Sequence, residues 1–122
     1  NGELNDAVGM RRLLGLQLYD ASTISDETVD ERVAVVLQQP RCVLSTMQVP
    51  NLAPRLGELQ CPILGFWGMN DKFCPASGAQ TMLEASRQIR FVLLSECGHW
   101  VMVEYRELFN RTCLDFIAEG RP

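Results

Sequence analysis

Apolar positions near the start of the chain recur at helical spacing, and further along they gather into solid blocks. Leu4, Val8, Leu14 and Leu18 return at short intervals and predict a helix over about residues 5–19. A second helix is marked at both ends. Ser25 can cap it, Asp26 and Glu27 place negative charge in its first turn, and Pro40 stops it. Val29, Val33, Val36 and Leu37 supply its apolar stripe. A short third helix is expected over residues 42–47. The stretch VPNLAPRLGELQCP (49–62), rich in proline, then interrupts the pattern. Beyond it, residues 62–68 (PILGFWG) form a continuous apolar run of strand length, and residues 77–88 read as a helix. Residues 91–94 (FVLL) form a second apolar run, and residues 105–117 an amphipathic helix carrying Tyr105, Leu108, Phe109, Thr112, Cys113, Phe116 and Ile117.

The order strand, helix, strand, helix predicts an α/β architecture. Strands that are apolar along their whole length are expected to be buried on both faces, as in parallel sheets covered by helices. A crossover helix would set the two strands parallel and near one another. Two strands do not make a stable sheet by themselves, so residues 62–122 read as the C-terminal part of a larger sheet. Residues 49–61 are then a linker back to that core, and residues 1–48 a separate helical segment.

Composition narrows the functional classes. The chain is 47% hydrophobic and 21% charged, values of a globular protein rather than a disordered tail or a disulfide-dense miniprotein. A net charge of -4 argues against nucleic acid as a partner, because that partner calls for a concentrated basic face. No apolar run reaches the roughly 18 residues a membrane helix requires. The opening NGELND has neither a methionine nor the pattern of a signal peptide, as expected of a processed or truncated chain. Cysteines stand at 42, 61, 74, 97 and 113, an odd set without C-x-x-C spacing. Free thiols in a reducing cytoplasm are the expectation, with no metal site.

Both apolar runs end in residues capable of chemistry. Asp71 follows the first, and His99, the sole histidine, follows the second. In open α/β sheets the ligand crevice lies beyond the carboxyl ends of the strands. An aspartate there can accept the Nδ1 proton of the imidazole, fix its tautomer and leave Nε2 free as a base. Gly98 would permit a tight turn presenting the ring. Taken singly, each residue also has an ordinary reading: a surface histidine, and an Asx-turn former in an Asn-Asp-Lys turn. The order acid then histidine matches the last two members of the α/β-hydrolase triad. Cys74 and Cys97 read as small buried thiols, Trp67 as core, and Met69 and Met102 as gap fillers near the site. Glu104, Arg106 and Glu107 read as a solvated helix face.

GFWGMNDKFCP (65–75) and LLSECGHWVMVEYRELFNRTCLDFI (93–117) resemble the C-terminal end of the meta-cleavage product hydrolases. These are α/β-hydrolase enzymes of aromatic and steroid ring degradation. QLYDASTISDETVDERV (17–33) resembles the helical lid of that family, so the likeness covers essentially the whole chain. In lid and linker texture it is nearest the steroid-degrading branch. The resemblance implies that Asp71 is the triad acid and His99 the base, with Phe73 and Trp100 lining the substrate pocket. It also places Arg32 at a lid arginine that contacts the carboxylate of the dienoate, and Leu13 and Gln17 at pocket-facing positions. At 100° per residue, Arg32 borders the apolar stripe beside Val29 and Val36, where a snorkelling arginine with a buried stem is an equal reading.

No G-x-S-x-G occurs in the chain, so the nucleophile and oxyanion hole are expected upstream of it, and the chain alone should be inactive. The implied activity of the parent is hydrolysis of a C–C bond in a 2-hydroxy-6-oxo-hexa-2,4-dienoate, a vinylogous diketone, without metal or organic cofactor. The implied partners are this small-molecule substrate and further copies of the parent in a homo-oligomer. An esterase or epoxide hydrolase, or a non-catalytic binding protein of the same fold, are the alternatives. Recovering the upstream sequence separates them.

Overall fold

A computed structural model describes residues 6–40 and 49–119. Its two compact units hold residues 1–16 with 20–50, and residues 17–19 with 51–122. The short helix expected over 42–47 and the apolar position Leu4 lie outside the described residues.

The first unit is helical. Helix α1 spans Ala7–Gln17 and α2 spans Asp26–Gln38, with a 3-10 turn at Ala21–Thr23 between them. Ser25 caps α2 as its sequence indicates, its hydroxyl accepting the Thr28 N–H at 3.2 Å. Met10 and Leu14, one turn apart on α1, are buried with Ile24 and Val29, whereas Val8 and Leu37 of the expected stripes are exposed. The Arg11 guanidinium ties the unit together. It donates to the Ile24 carbonyl at 3.1 Å and pairs with the Asp26 carboxylate.

The second unit is built on two parallel strands, β1 (Ile63–Gly68) and β2 (Ile89–Leu94), in the register Ile63 with Ile89 through Gly68 with Leu94. Strand β2 starts two residues before the apolar run because Ile89 and Arg90 join the ladder. Helix α3 (Ser77–Ala85) makes the crossover and ends before the expected 88, where Ser86 turns into extended backbone. Side chains alternate across the sheet. On one face the Phe91 ring lies over Gly65 and against Trp67, whose own ring meets Gly78 of α3. On the other face Phe66 stacks on Phe109 with ring centroids 4.7 Å apart, and Arg90 sits over Phe116. Those two aromatic residues belong to the C-terminal helix.

That C-terminal helix is not the single run the periodicity predicts. It begins as a short helix α4 (Val101–Glu104), breaks at Tyr105, and restarts as α5 (Arg106–Glu119). The linker contains a 3-10 turn, Ala53–Glu58, that packs on α3. The expectation of strands buried on both faces is corrected. Most residues of β1 and β2 are only half-buried and Leu93 is 50% exposed. Each strand has one neighbour among the described residues, so an edge and part of each face stay open.

Candidate functional site

The parallel register brings the carboxyl ends of β1 and β2 to the same edge, and backbone bonds lock the two loops that leave them. The Met69 N–H donates to the Leu94 carbonyl at 2.8 Å, and the Asn70 N–H to the Cys97 carbonyl at 2.9 Å. A Cβ on Gly68 would lie 2.0 Å from the Gly98 carbonyl oxygen, so only glycine lets the loops approach this closely. Gly98 is needed for the same reason and not for a turn conformation. Its Cβ would meet the Gln17 carbonyl oxygen at 2.5 Å, while the left-handed backbone of this loop falls on Glu96 (φ 50°).

Within this frame Asp71 and His99 are hydrogen-bonded, Oδ2 to Nδ1, at 2.8 Å. The other oxygen of Asp71 accepts the N–H groups of Phe73 at 2.8 Å and Cys74 at 2.9 Å. Burial pushes the Asp71 carboxyl up. The hydrogen bonds from Cys74, His99 and Phe73, helped by the charge His99 can carry, outweigh that push and hold it below its ordinary range. An ionised carboxylate only accepts, so Nδ1 carries a proton toward it, and in the neutral ring Nε2 keeps its lone pair. The pair is asymmetric in exposure: the Asp71 side chain is 5% exposed and the His99 side chain 37%. The acid is shielded and the base is open. The Phe73 ring stands beside the imidazole, centroids 5.6 Å apart.

Gln17 enters through its backbone, its carbonyl accepting the His99 N–H at 2.6 Å. Trp100 is half-buried at the residue before α4. Arg32 is exposed on α2 and Leu13 half-buried on α1, both in the first unit.

Several neighbouring residues depart from expectation. Cys74 is exposed rather than buried, and Met69 and Met102 are about half exposed rather than filling gaps. Trp67 is half-buried, its indole N–H donating to the Cys74 carbonyl at 2.8 Å. Cys61, Cys74, Cys97 and Cys113 are free thiols. Cys97 is fully buried, and its thiol is pushed up to about 12, first by burial and then by the adjacent Glu104 carboxylate. It is therefore neutral and unreactive at ordinary pH. Glu104 does not lie on a solvated face. It is half-buried, with Oε2 accepting the Gly98 N–H at 2.7 Å and Oε1 the Tyr19 N–H at 2.6 Å. No sequence spacing signals this, because its partners are main-chain groups and one lies far away along the chain.

Asp71, Cys74 and His99 each offer a donor atom, all within 4.8 Å of one another. Both Asp71 oxygens are already engaged by hydrogen donors, so the trio reads as a hydrogen-bonded acid–base pair with a thiol beside it. Among the described residues no helix is long and apolar enough to cross a membrane.

Comparison with known proteins bears on the fold. No protein-family model matches the chain. The 2-hydroxy-6-oxononadienedioate/2-hydroxy-6-oxononatrienedioate hydrolase of Comamonas testosteroni is 32% identical over 119 residues, covering 91% of this chain and 42% of that protein. The 2-hydroxy-6-oxo-6-phenylhexa-2,4-dienoate hydrolase of Burkholderia cepacia is 31% identical over the same extent. The chain thus spans less than half the length of these curated relatives. A solved meta-cleavage product hydrolase from Pseudomonas fluorescens IP01 superposes with a TM-score of 0.80 at 24% identity, over 95% of this chain and 47% of that one. The chain therefore has an α/β-hydrolase fold, with the strand–helix–strand–helix order of its C-terminal part. The curated relatives that its sequence matches bear the names of 2-hydroxy-6-oxo-dienoate hydrolases.

Proposed function

We propose that this chain supplies the acid and the base of a hydrolase that cleaves a C–C bond in 2-hydroxy-6-oxo-hexa-2,4-dienoates. The observation that carries the reading is the Asp71–His99 bond at 2.8 Å, in a chain whose relatives bear the names of such hydrolases. Asp71 fixes the imidazole with Nδ1–H toward itself and stabilises the cation formed when Nε2 takes a proton. His99 moves protons, first as the dienol becomes the ketone, then as a serine or activated water adds to the C6 carbonyl. Residues outside this chain supply that nucleophile and the oxyanion hole.

Phe73 and Trp100 line the pocket beside the base, and Leu13 and Gln17 occupy further pocket-facing positions. Arg32 holds the carboxylate end of the substrate. Residues 1–48 serve as lid, 49–61 as linker and 62–122 as core. The protein works in the cytoplasm as a homo-oligomer without metal or organic cofactor.

The test is to assay the full-length protein on a panel of dienoates with phenyl, carboxyalkyl and steroid-derived substituents at C6, following loss of their visible absorbance. Turnover of simple esters with none of the dienoates would overturn the reading. In the same protein Arg32→Ala should lower kcat/KM about 10- to 100-fold, from loss of a charge-assisted contact worth roughly 1.5–3 kcal/mol, with the melting temperature nearly unchanged. Unaltered kinetics would remove Arg32 from the site.

A further inference from the structure

We infer that Glu104 is a positioning residue for the base: its carboxylate fastens the His99 loop onto residues 17–19 and so sets where the imidazole stands. The inference rests on His99 being the base, as proposed above.

Residues 95–100 leave β2 without regular structure, so their main-chain groups need partners from elsewhere. The Cys97 carbonyl is taken by Asn70, and the His99 N–H donates to the Gln17 carbonyl at 2.6 Å. The Gly98 N–H goes to Glu104 Oε2 at 2.7 Å, and the other oxygen of that carboxylate takes the Tyr19 N–H at 2.6 Å. One carboxylate thus joins the residue before the base to the segment that receives the base's own amide. The Cys97 thiol adds a weak third donor to Oε2 at 3.6 Å.

Two acceptor oxygens with no donor are what this site requires, and among side chains only a carboxylate has them. A glutamine would turn its NH2 toward one of the two N–H groups. The helix geometry also fits. Glu104 sits one turn beyond Trp100, whose carbonyl accepts the Glu104 N–H at 3.0 Å, and helical side chains lean toward the N-terminus, here toward Gly98. The break after α4 sends the next residue to the other end of the loop, where the Tyr105 hydroxyl donates to the Ser95 carbonyl at 2.9 Å. Glu104 and Tyr105 brace the base loop from both sides. Because Gly98 rests directly on residues 17–19, slackening the Glu104 clamp moves the imidazole relative to Asp71.

The test uses the full-length protein with Glu104→Gln, Glu104→Asp and, as a control on the exposed face of α5, Glu107→Gln. The first readout is the low-field imidazole Nδ1–H NMR resonance, assigned to His99 by its disappearance in His99→Gln. Glu104→Gln should abolish this resonance and Glu107→Gln leave it in place. The second readout is kinetic. Glu104→Gln should lower kcat about 10²-fold, the scale of a misplaced catalytic group, with KM little changed. Glu104→Asp, which keeps both oxygens on a shorter stem, should recover part of that loss. Retention of the Nδ1–H resonance in Glu104→Gln would overturn the inference. So would a melting temperature lowered in step with the signal, which would make Glu104 a stability residue. The NMR readout needs no substrate, so a protein that hydrolyses no dienoate would sink the proposed function without touching this one.

Discussion

At Asp71 the more buried partner of an acid–base pair is also the one held in its charged form. Three hydrogen donors converge on its carboxylate, and removing that charge leaves them facing a poorer acceptor. The sign of the pH effect follows. A carboxylate with a depressed native pKa contributes stability that is fully present above its unfolded value of about 3.9 and is lost as pH falls through the lower native value. Urea midpoints of the wild type and Asp71→Asn should therefore differ at neutral pH and converge as the pH is taken below about 4. A constant difference across that range would mean that the charge is not what matters. Under the proposed function, the same change in the full-length protein should lower kcat by roughly 10⁴-fold, the scale seen when a buried triad aspartate elsewhere becomes asparagine. The positions of Asp71 and His99 were legible because each follows an apolar run, and chain order alone puts both at one sheet edge. Glu104 was not legible. An acidic residue in an amphipathic stretch looks solvated until its main-chain partners are known, and nothing about Tyr19 marks it as one of them. Cys74 misled for a related reason: thiols favour burial on average, but this one sits on the open turn that wraps Asp71.

The elements were readable where sequence punctuation is strong and blurred where packing decides. Ser25 and Pro40 frame α2 almost to the residue. The break between α4 and α5 has no proline or glycine to announce it, since Tyr105 is turned out of the helix while its hydroxyl bonds to the base loop. Glycines mark the closest approaches between elements, and they differ in what an added methyl would meet. At Gly68 the obstacle is backbone, the Gly98 carbonyl oxygen at 2.0 Å, which cannot yield without opening the two loops. At Gly57 the nearest atom is the Ala85 carbonyl oxygen at 3.4 Å, close to ordinary contact. Gly68→Ala should destabilise by at least the 1–3 kcal/mol typical of overpacking, roughly, and should also disturb the Asp71–His99 pair, whereas Gly57→Ala should be nearly neutral. Urea unfolding of the two variants checks the ordering. Equal costs would show that the loops can separate freely.

For the chain as a whole, an open two-stranded sheet has consequences in solution. The outer edges of β1 and β2 are unpaired among the described residues, and Leu93 is half exposed on a face that also carries Trp67. Unpaired strand edges template pairing with other chains. Sedimentation velocity on the 122-residue chain should show species larger than its 13.7 kDa monomer, and Leu93→Lys should reduce them. A clean monomer with a sharp two-state urea transition would show that the chain closes its own edges. The amide of His99 bears on a different property, the order in which the molecule can assemble. Strand pairing and α5 docking join residues that lie within the second half of the chain, but the partner of that amide is Gln17, about eighty residues earlier. Closing so long a loop costs chain entropy that shorter closures do not, so distant contacts tend to form after local ones. The sheet can exist before its carboxyl edge is finished, and the final placing of the histidine waits on a segment that lies far back along the chain.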